Sequence, residues 1–171
     1  PASRTNCQKR LAKASVDAIL EIGAVKVRDM EVTETYTAMV NPGFPVPEHV
    51  TELTGITTEM AQQGREIHKV LPEFLEFCGQ SVILGHNIGF DFGVLQQNAA
   101  NMRKTFPDMA SDTLAIARKL FLPELPSRKL GDLCDHYHIR EERWHRACDD
   151  ADAASRLYQK LAQAFSEENE T

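Results

Sequence analysis

A helix with an acid on its apolar side constrains this chain more than any other feature. From Ala147, small and apolar residues recur at 147, 151, 154, 158, 161 and 165. Steps of three and four mark one face of an amphipathic helix. At about 100° per residue, Asp150 projects into that face between Ala147 and Ala154, while Asp149 and Asp152 point away from it. A carboxylate at a packed interface is costly unless it is paired, hydrogen-bonded or bound to a metal. His145 stands just ahead of the first turn, near enough to serve the same site. Acids at a helix start complement the macrodipole, which accounts for Asp149 but not for an inward Asp150. Asp150 and His145 are therefore the first candidate functional residues.

A chain of 171 residues, 42% hydrophobic, fits one globular domain with a core able to cover such a helix. No apolar run approaches the roughly 20 residues of a membrane span, and no signal-peptide core opens the chain. Cys7, Cys78, Cys134 and Cys148 are scattered without a CxxC pair, as expected of reduced thiols in a cytoplasmic protein. Cys134, His136 and His138 lie close together, but no second ligand cluster supports a metal site there, and exposed imidazoles at a helix end are the plainer reading. The net charge of −6 argues against a broad basic surface for nucleic acid. It does not argue against an acidic site that reaches a phosphodiester through divalent ions.

Three segments are expected: a polar stretch over 1–16, with a short helix possible at Gln8–Ala14, a folded domain over 17–165, and an acidic, frayed tail over 166–171. Ala18–Val27 and Thr33–Val40 read as the two strands of a hairpin turning at Arg28–Glu31. A helical turn over Pro47–Ile56 stops at Gly55, a second opens at Thr57, and a strong helix covers His68–Cys78. Ser81–Gly85 is a short buried strand leading into a helix that starts near Asp91. Open α/β folds build sites at such strand-to-helix junctions, although an N-capping role would also explain Asp91. Met109–Asp112 reads as a brief strand or an extended link, Thr113–Leu120 as a helix capped by Asp112, and Leu130–Tyr137 as a helix after the proline-rich loop Pro123–Ser127.

Taken in order, DAILEIGAVKV (17–27), LTGIT (53–57), HNIGFD (86–91), SDTL (111–114) and HRACDDADA (145–153) resemble the DnaQ-like 3′–5′ exonucleases of the DEDDh type. That family includes the proofreading exonuclease domains of bacterial replicative DNA polymerase III. The resemblance implies an α/β, ribonuclease H-like mixed sheet flanked by helices, with carboxylates from separate elements holding two Mg²⁺ or Mn²⁺ ions. It implies Asp91 and Asp150 as metal ligands and catalytic acids, and His145 as general base. Leu53, Thr54, Gly55 and Ile56 resemble the segment against the terminal nucleotide, with Asn87 and Phe90 in the same cleft. The implied partners are a single-stranded DNA or RNA 3′ end and a DNA polymerase joined in cis or in trans; the implied product is a nucleoside 5′-monophosphate. One departure is clear. The family's first motif, a central strand ending in Asp-x-Glu, has no counterpart in residues 1–20. The expectation is a competent exonuclease lacking that strand in this chain; the alternative is a catalytically inactive nucleotide- or partner-binding module of the same fold.

Overall fold

The computed structural model describes residues 18–107, 110–120, 125, 127–140 and 146–169. The expected polar segment 1–16, its possible helix at Gln8–Ala14, most of the Pro123–Ser127 loop and His145 lie outside the described residues.

The first hairpin forms as the β-branched pattern requires. Strand β1 (Glu21–Arg28) pairs antiparallel with β2 (Glu31–Met39), from Glu21 opposite Met39 to Arg28 opposite Glu31, with an irregularity at Lys26 and Val27. Asp29 and Met30 both take positive φ, 50° and 67°, so the two-residue turn follows the right-handed twist of its strands. Helix α1 (Glu48–Thr54) ends where Gly55 turns left-handed at φ 72° and donates its N–H to the Thr51 carbonyl. Helix α2 (Thr58–Gln62) starts at Thr57, whose hydroxyl accepts from the Met60 N–H. Helix α3 (Ile67–Cys78) buries Val70, Leu71, Phe74 and Cys78 against Ile22 and Ala38 of the hairpin.

The second half holds β3 (Ile83–Gly85), α4 (Gly89–Asn101), β4 (Ala110–Asp112), α5 (Thr113–Lys119), α6 (Leu130–His136) and α7 (Ala147–Asn169). Strand β4 runs parallel to β3. The expected mixed sheet is therefore present as two pairs, β1–β2 and β3–β4, and among the described residues no strand joins them. The inner edges of β1 and β3 both face a cleft of about 1910 Å³. Helix α7 packs on β1, β2 and β3 and on α5 and α6, so it spans both halves. None of the described helices is long and apolar enough to cross a membrane.

Helix α7 departs from expectation in two respects. Its buried stripe is Ala153, Ala154, Leu157 and Leu161, whereas Tyr158 and Phe165 are 38% and 51% exposed. A single face centred on 151, 158 and 165 assumes one neighbour. The helix has two, because Ala153, Leu157 and Leu161 fill a core with Ala117, Leu133 and Cys134 while Ala147, Ala151 and Ala154 face the cleft. The helix also continues to Asn169, beyond the Phe165 end, with Ser166 Oγ donating to the Ala162 carbonyl at 3.1 Å.

Candidate active site

The turn between β3 and α4 is held by side chains from β4 and α5. Asn87 is left-handed at φ 56°, a conformation its short polar side chain tolerates, and its N–H donates to Asp112 Oδ1 at 2.8 Å. The same Asp112 oxygen caps α5 through the Leu114 N–H at 2.9 Å. His86 Nε2 lies 3.0 Å from the Arg128 carbonyl, which can only accept, so the ring proton sits on Nε2. Burial pulls the His86 pKa down and keeps the ring neutral, leaving Nδ1 to accept from the Thr113 hydroxyl at 2.9 Å. Residues 85–87 are thereby fixed before the helix begins.

Asp91 then falls in the first turn of α4, two residues after its start, and it is not the cap. Ile88 holds the cap position and no side chain bonds there. Asp91 opens into the cleft and counts as exposed by surface, yet the protein atoms around its carboxyl raise its pKa by desolvation, against a lowering bond to its own backbone N–H. Water still reaches the group, so the free-energy effect is small, but its direction is that of a carboxylate short of a positive partner.

Across the cleft, the N-terminus of α7 is anchored by an acid from β1. Glu21, whose side chain is 6% exposed, accepts from Arg146 Nη2 at 2.7 Å through Oε1 and from Arg146 Nε at 3.1 Å through Oε2. Oε2 also accepts from the Ala147 N–H at 3.0 Å, satisfying one of the helix's orphan donors. This ion pair raises the Arg146 pKa. The next turn follows directly, because the Asp150 N–H donates to the Arg146 carbonyl at 2.9 Å. Gly23 lies against the same turn; a Cβ there would fall 2.1 Å from the Cys148 nitrogen. Asp150 is half-buried and lines the same cleft as Asp91.

The expected nucleotide segment divides. Thr54 and Ile56 line the cleft together with Asn87 and Phe90, while Leu53 and Gly55 are not part of its lining. Leu53 and Phe90 are 58% and 62% exposed apolar side chains, suited to contact a ligand. Ile56 is 2% exposed and packs with Val46 and Ala61, so its side chain belongs to the core. Its backbone is held by Thr51 Oγ1, which donates to the Ile56 carbonyl at 2.8 Å, and by its own N–H bond to Thr54 Oγ1. Cys134 is buried in α6 and the His136 ring stacks edge-on against Tyr137; no cluster of three or more His, Cys, Asp or Glu suited to a metal occurs among the described residues.

Sequence reasoning missed the Glu21–Arg146 clamp and the cations Arg118, Arg128 and Lys129 on the cleft wall. An acid at the head of an apolar strand was the visible signal for Glu21, but its partner lies 125 residues away.

The sequence profile of the RNase T exonuclease family matches residues 7–158. A PolC-type DNA polymerase III of Clostridium perfringens is 40% identical over 89% of this chain, which spans 10% of that protein. The DNA polymerase III subunit epsilon of Aquifex aeolicus is 33% identical over 84% of this chain and 71% of its own. The chain thus spans about a tenth of the PolC-type relatives it matches. The fold is shared with the nuclease domain of 3′hExo, a DEDDh family member bound to rAMP, at TM-score 0.68 and 17% identity over 85% of this chain and 81% of that one. It is also shared with exonuclease X in complex with 5′ overhanging duplex DNA, at TM-score 0.66 and 22% identity over 85% and 83%. With a profile covering most of its length and an α/β, ribonuclease H-like architecture, the chain belongs to the DnaQ-like exonuclease family of phosphodiester hydrolases.

Proposed function

We propose that residues 17–165 form a cytoplasmic 3′–5′ exonuclease domain. It removes nucleoside 5′-monophosphates from single-stranded DNA or RNA ends in proofreading or repair, with a DNA polymerase in cis or in trans. The observation that carries this reading is that Asp91 and Asp150, from separate elements, line one cleft. Both offer hard oxygen donors, the chemistry that Mg²⁺ or Mn²⁺ prefers. When bound, such ions supply Lewis-acid stabilisation of the scissile phosphate and a more acidic water. Asp91, with its raised pKa, gains by facing that charge. His145, one residue before the clamped Arg146, takes the proton of the attacking water, a role suited by an ordinary imidazole pKa near neutrality. Thr54, Asn87 and Phe90 hold the terminal nucleotide from the cleft wall, Ile56 contributing through its backbone, with Leu53 and Gly55 beside them outside the lining. Arg118, Arg128 and Lys129 offset the charge of the departing strand.

Two described acids make a weak seat for divalent ions, since affinity follows ligand count and geometry. The 171-residue chain should therefore cut a fluorescent single-stranded oligonucleotide slowly or not at all. Fusing a β-strand ending in Asp-x-Glu-Thr-Thr-Gly ahead of Pro1 should establish 3′–5′ degradation. In that protein, replacing His145 should cost roughly 10²–10⁴-fold, and Asp150→Asn should abolish cutting with the helix intact. No cutting after fusion, with retained nucleotide binding, would instead favour an inactive binding module.

A further inference from the structure

We propose that Glu21 is a positioning residue: through Arg146 and the Ala147 N–H it sets the backbone that carries Asp150 on the cleft wall and that follows His145 in the chain. This rests on the exonuclease reading above and extends it to a strand residue outside the candidate catalytic set. One carboxylate accepts three hydrogen bonds from two consecutive residues, Arg146 just ahead of α7 and Ala147 at its start, at 2.7, 3.1 and 3.0 Å. Two of these come from the fork of an arginine side chain, which fixes orientation as well as distance. The residue so gripped sits between the two that matter. Its N-terminal neighbour is residue 145, and its carbonyl accepts the Asp150 N–H at 2.9 Å, opening the first turn of the helix.

A second contact makes the grip directional. At Gly23, two positions along β1, the strand backbone lies directly against the Ala147–Cys148 backbone. Gly23 limits how closely the helix approaches, while Glu21 limits how it slides and turns. Neither contact depends on substrate, so the spacing between Asp150 and the cleft floor is set before any ligand arrives. The Glu21 carboxylate also lines the cleft, and both of its oxygens are engaged by these donors.

The test is nuclear magnetic resonance on the full 171-residue chain, comparing wild type with Glu21→Gln and Arg146→Lys. Glu21→Gln keeps the side chain's size but removes the charge and one acceptor. The expected result is displacement of the Asp150 amide and His145 ring resonances. The Mn²⁺ concentration that broadens Asp150 should also rise by roughly 10–100-fold, the effect seen when a partner orienting a metal ligand is lost. Arg146→Lys, which keeps the charge but not the fork, should show the same displacements in smaller measure. It carries the comparison should Glu21→Gln fail to fold. A lower melting temperature with unmoved Asp150 and His145 signals and unchanged Mn²⁺ broadening would overturn the proposal, leaving the clamp a purely structural bond. Wild-type signals insensitive to Mn²⁺ would count against the metal reading itself, and the resonance displacements alone would then decide on Glu21.

Discussion

At Asp91, protonation and folding are coupled with a definite sign. Desolvation raises its folded pKa above the unfolded value, so the folded chain holds the proton over a wider pH range. The group's contribution to stability is therefore best at low pH. It declines as pH rises from the unfolded carboxylate value to the folded one, and stays at its lower level through neutrality. Asp91→Asn should accordingly raise the melting temperature at pH 7 while removing a metal ligand, and the gain should fade as pH falls through the carboxylate range. Thermal scans at pH 4 and pH 7 check this; an asparagine variant no more stable than wild type at pH 7 contradicts it. Gly23 carries an opposite expectation. An added Cβ would lie 2.1 Å from the Cys148 nitrogen and 2.3 Å from the Ala147 carbonyl carbon. Both are backbone atoms that cannot rotate aside. Gly23→Ala should cost at least the upper part of the roughly 1–3 kcal/mol of overpacked sites, read from urea unfolding. An unchanged midpoint would mean that α7 can retreat from β1.

Helix α7 is tied to the hairpin at its first turn through Glu21 and again at Gln159, whose Nε2 donates to the Met30 carbonyl at 2.9 Å; the ion pair belongs to the first of these ties. Breaking a buried ion pair by removing one partner costs about 3–5 kcal/mol. With Arg146 32% exposed, Glu21→Ala should fall toward the low end of that range. Urea unfolding of Glu21→Ala should show the loss, and Glu21→Ala with Arg146→Ala should recover part of it; additive losses would mean the pair does not act as a unit. The same helix shows how far sequence reading reaches. Its existence, its start at Ala147 and the inward set of Asp150 follow from period alone, because 3.6-residue geometry is local. Its buried stripe does not, because a helix between two cores has two apolar faces and the period cannot apportion them. The Gly55 stop, the Thr57 cap and the Asp112 cap were legible because each is completed within four residues. The Glu21 clamp and the His86–Thr113 bond were not, since they join residues 125 and 27 positions apart. The LTGIT pattern marks Ile56 for the cleft, but that its side chain packs on Val46 and Ala61 depends on the tertiary fold and is not visible in the pattern.

At the scale of the whole molecule, the decisive feature among the described residues is a sheet in two halves bridged by helices. Strand β1 is hydrogen-bonded to β2 along one edge, β3 to β4 along one edge, and the other edges face the cleft. An unpaired strand edge is a template for pairing with another chain. Here that edge carries Ile22, Ala24 and Val25, with Lys26 and Arg28 toward its end. The 171-residue chain should thus associate as its concentration rises, seen by light scattering, and its Ile22–Val25 and Ile83–Gly85 amides on the cleft side should exchange rapidly with deuterium. A strand fused ahead of Pro1 should reverse both effects by pairing with β1 and β3 together. The gain should exceed that of pairing either half alone, because α7 already holds the two halves at a set distance and no further ordering is required. Protection that appears on β1 but not on β3 would mean that the cleft does not accept a single strand. A monomer with both edges already protected would mean that the chain closes the gap with its own residues. The fused strand would then bring acids to the site without changing the sheet, and cutting activity and amide protection would no longer rise together.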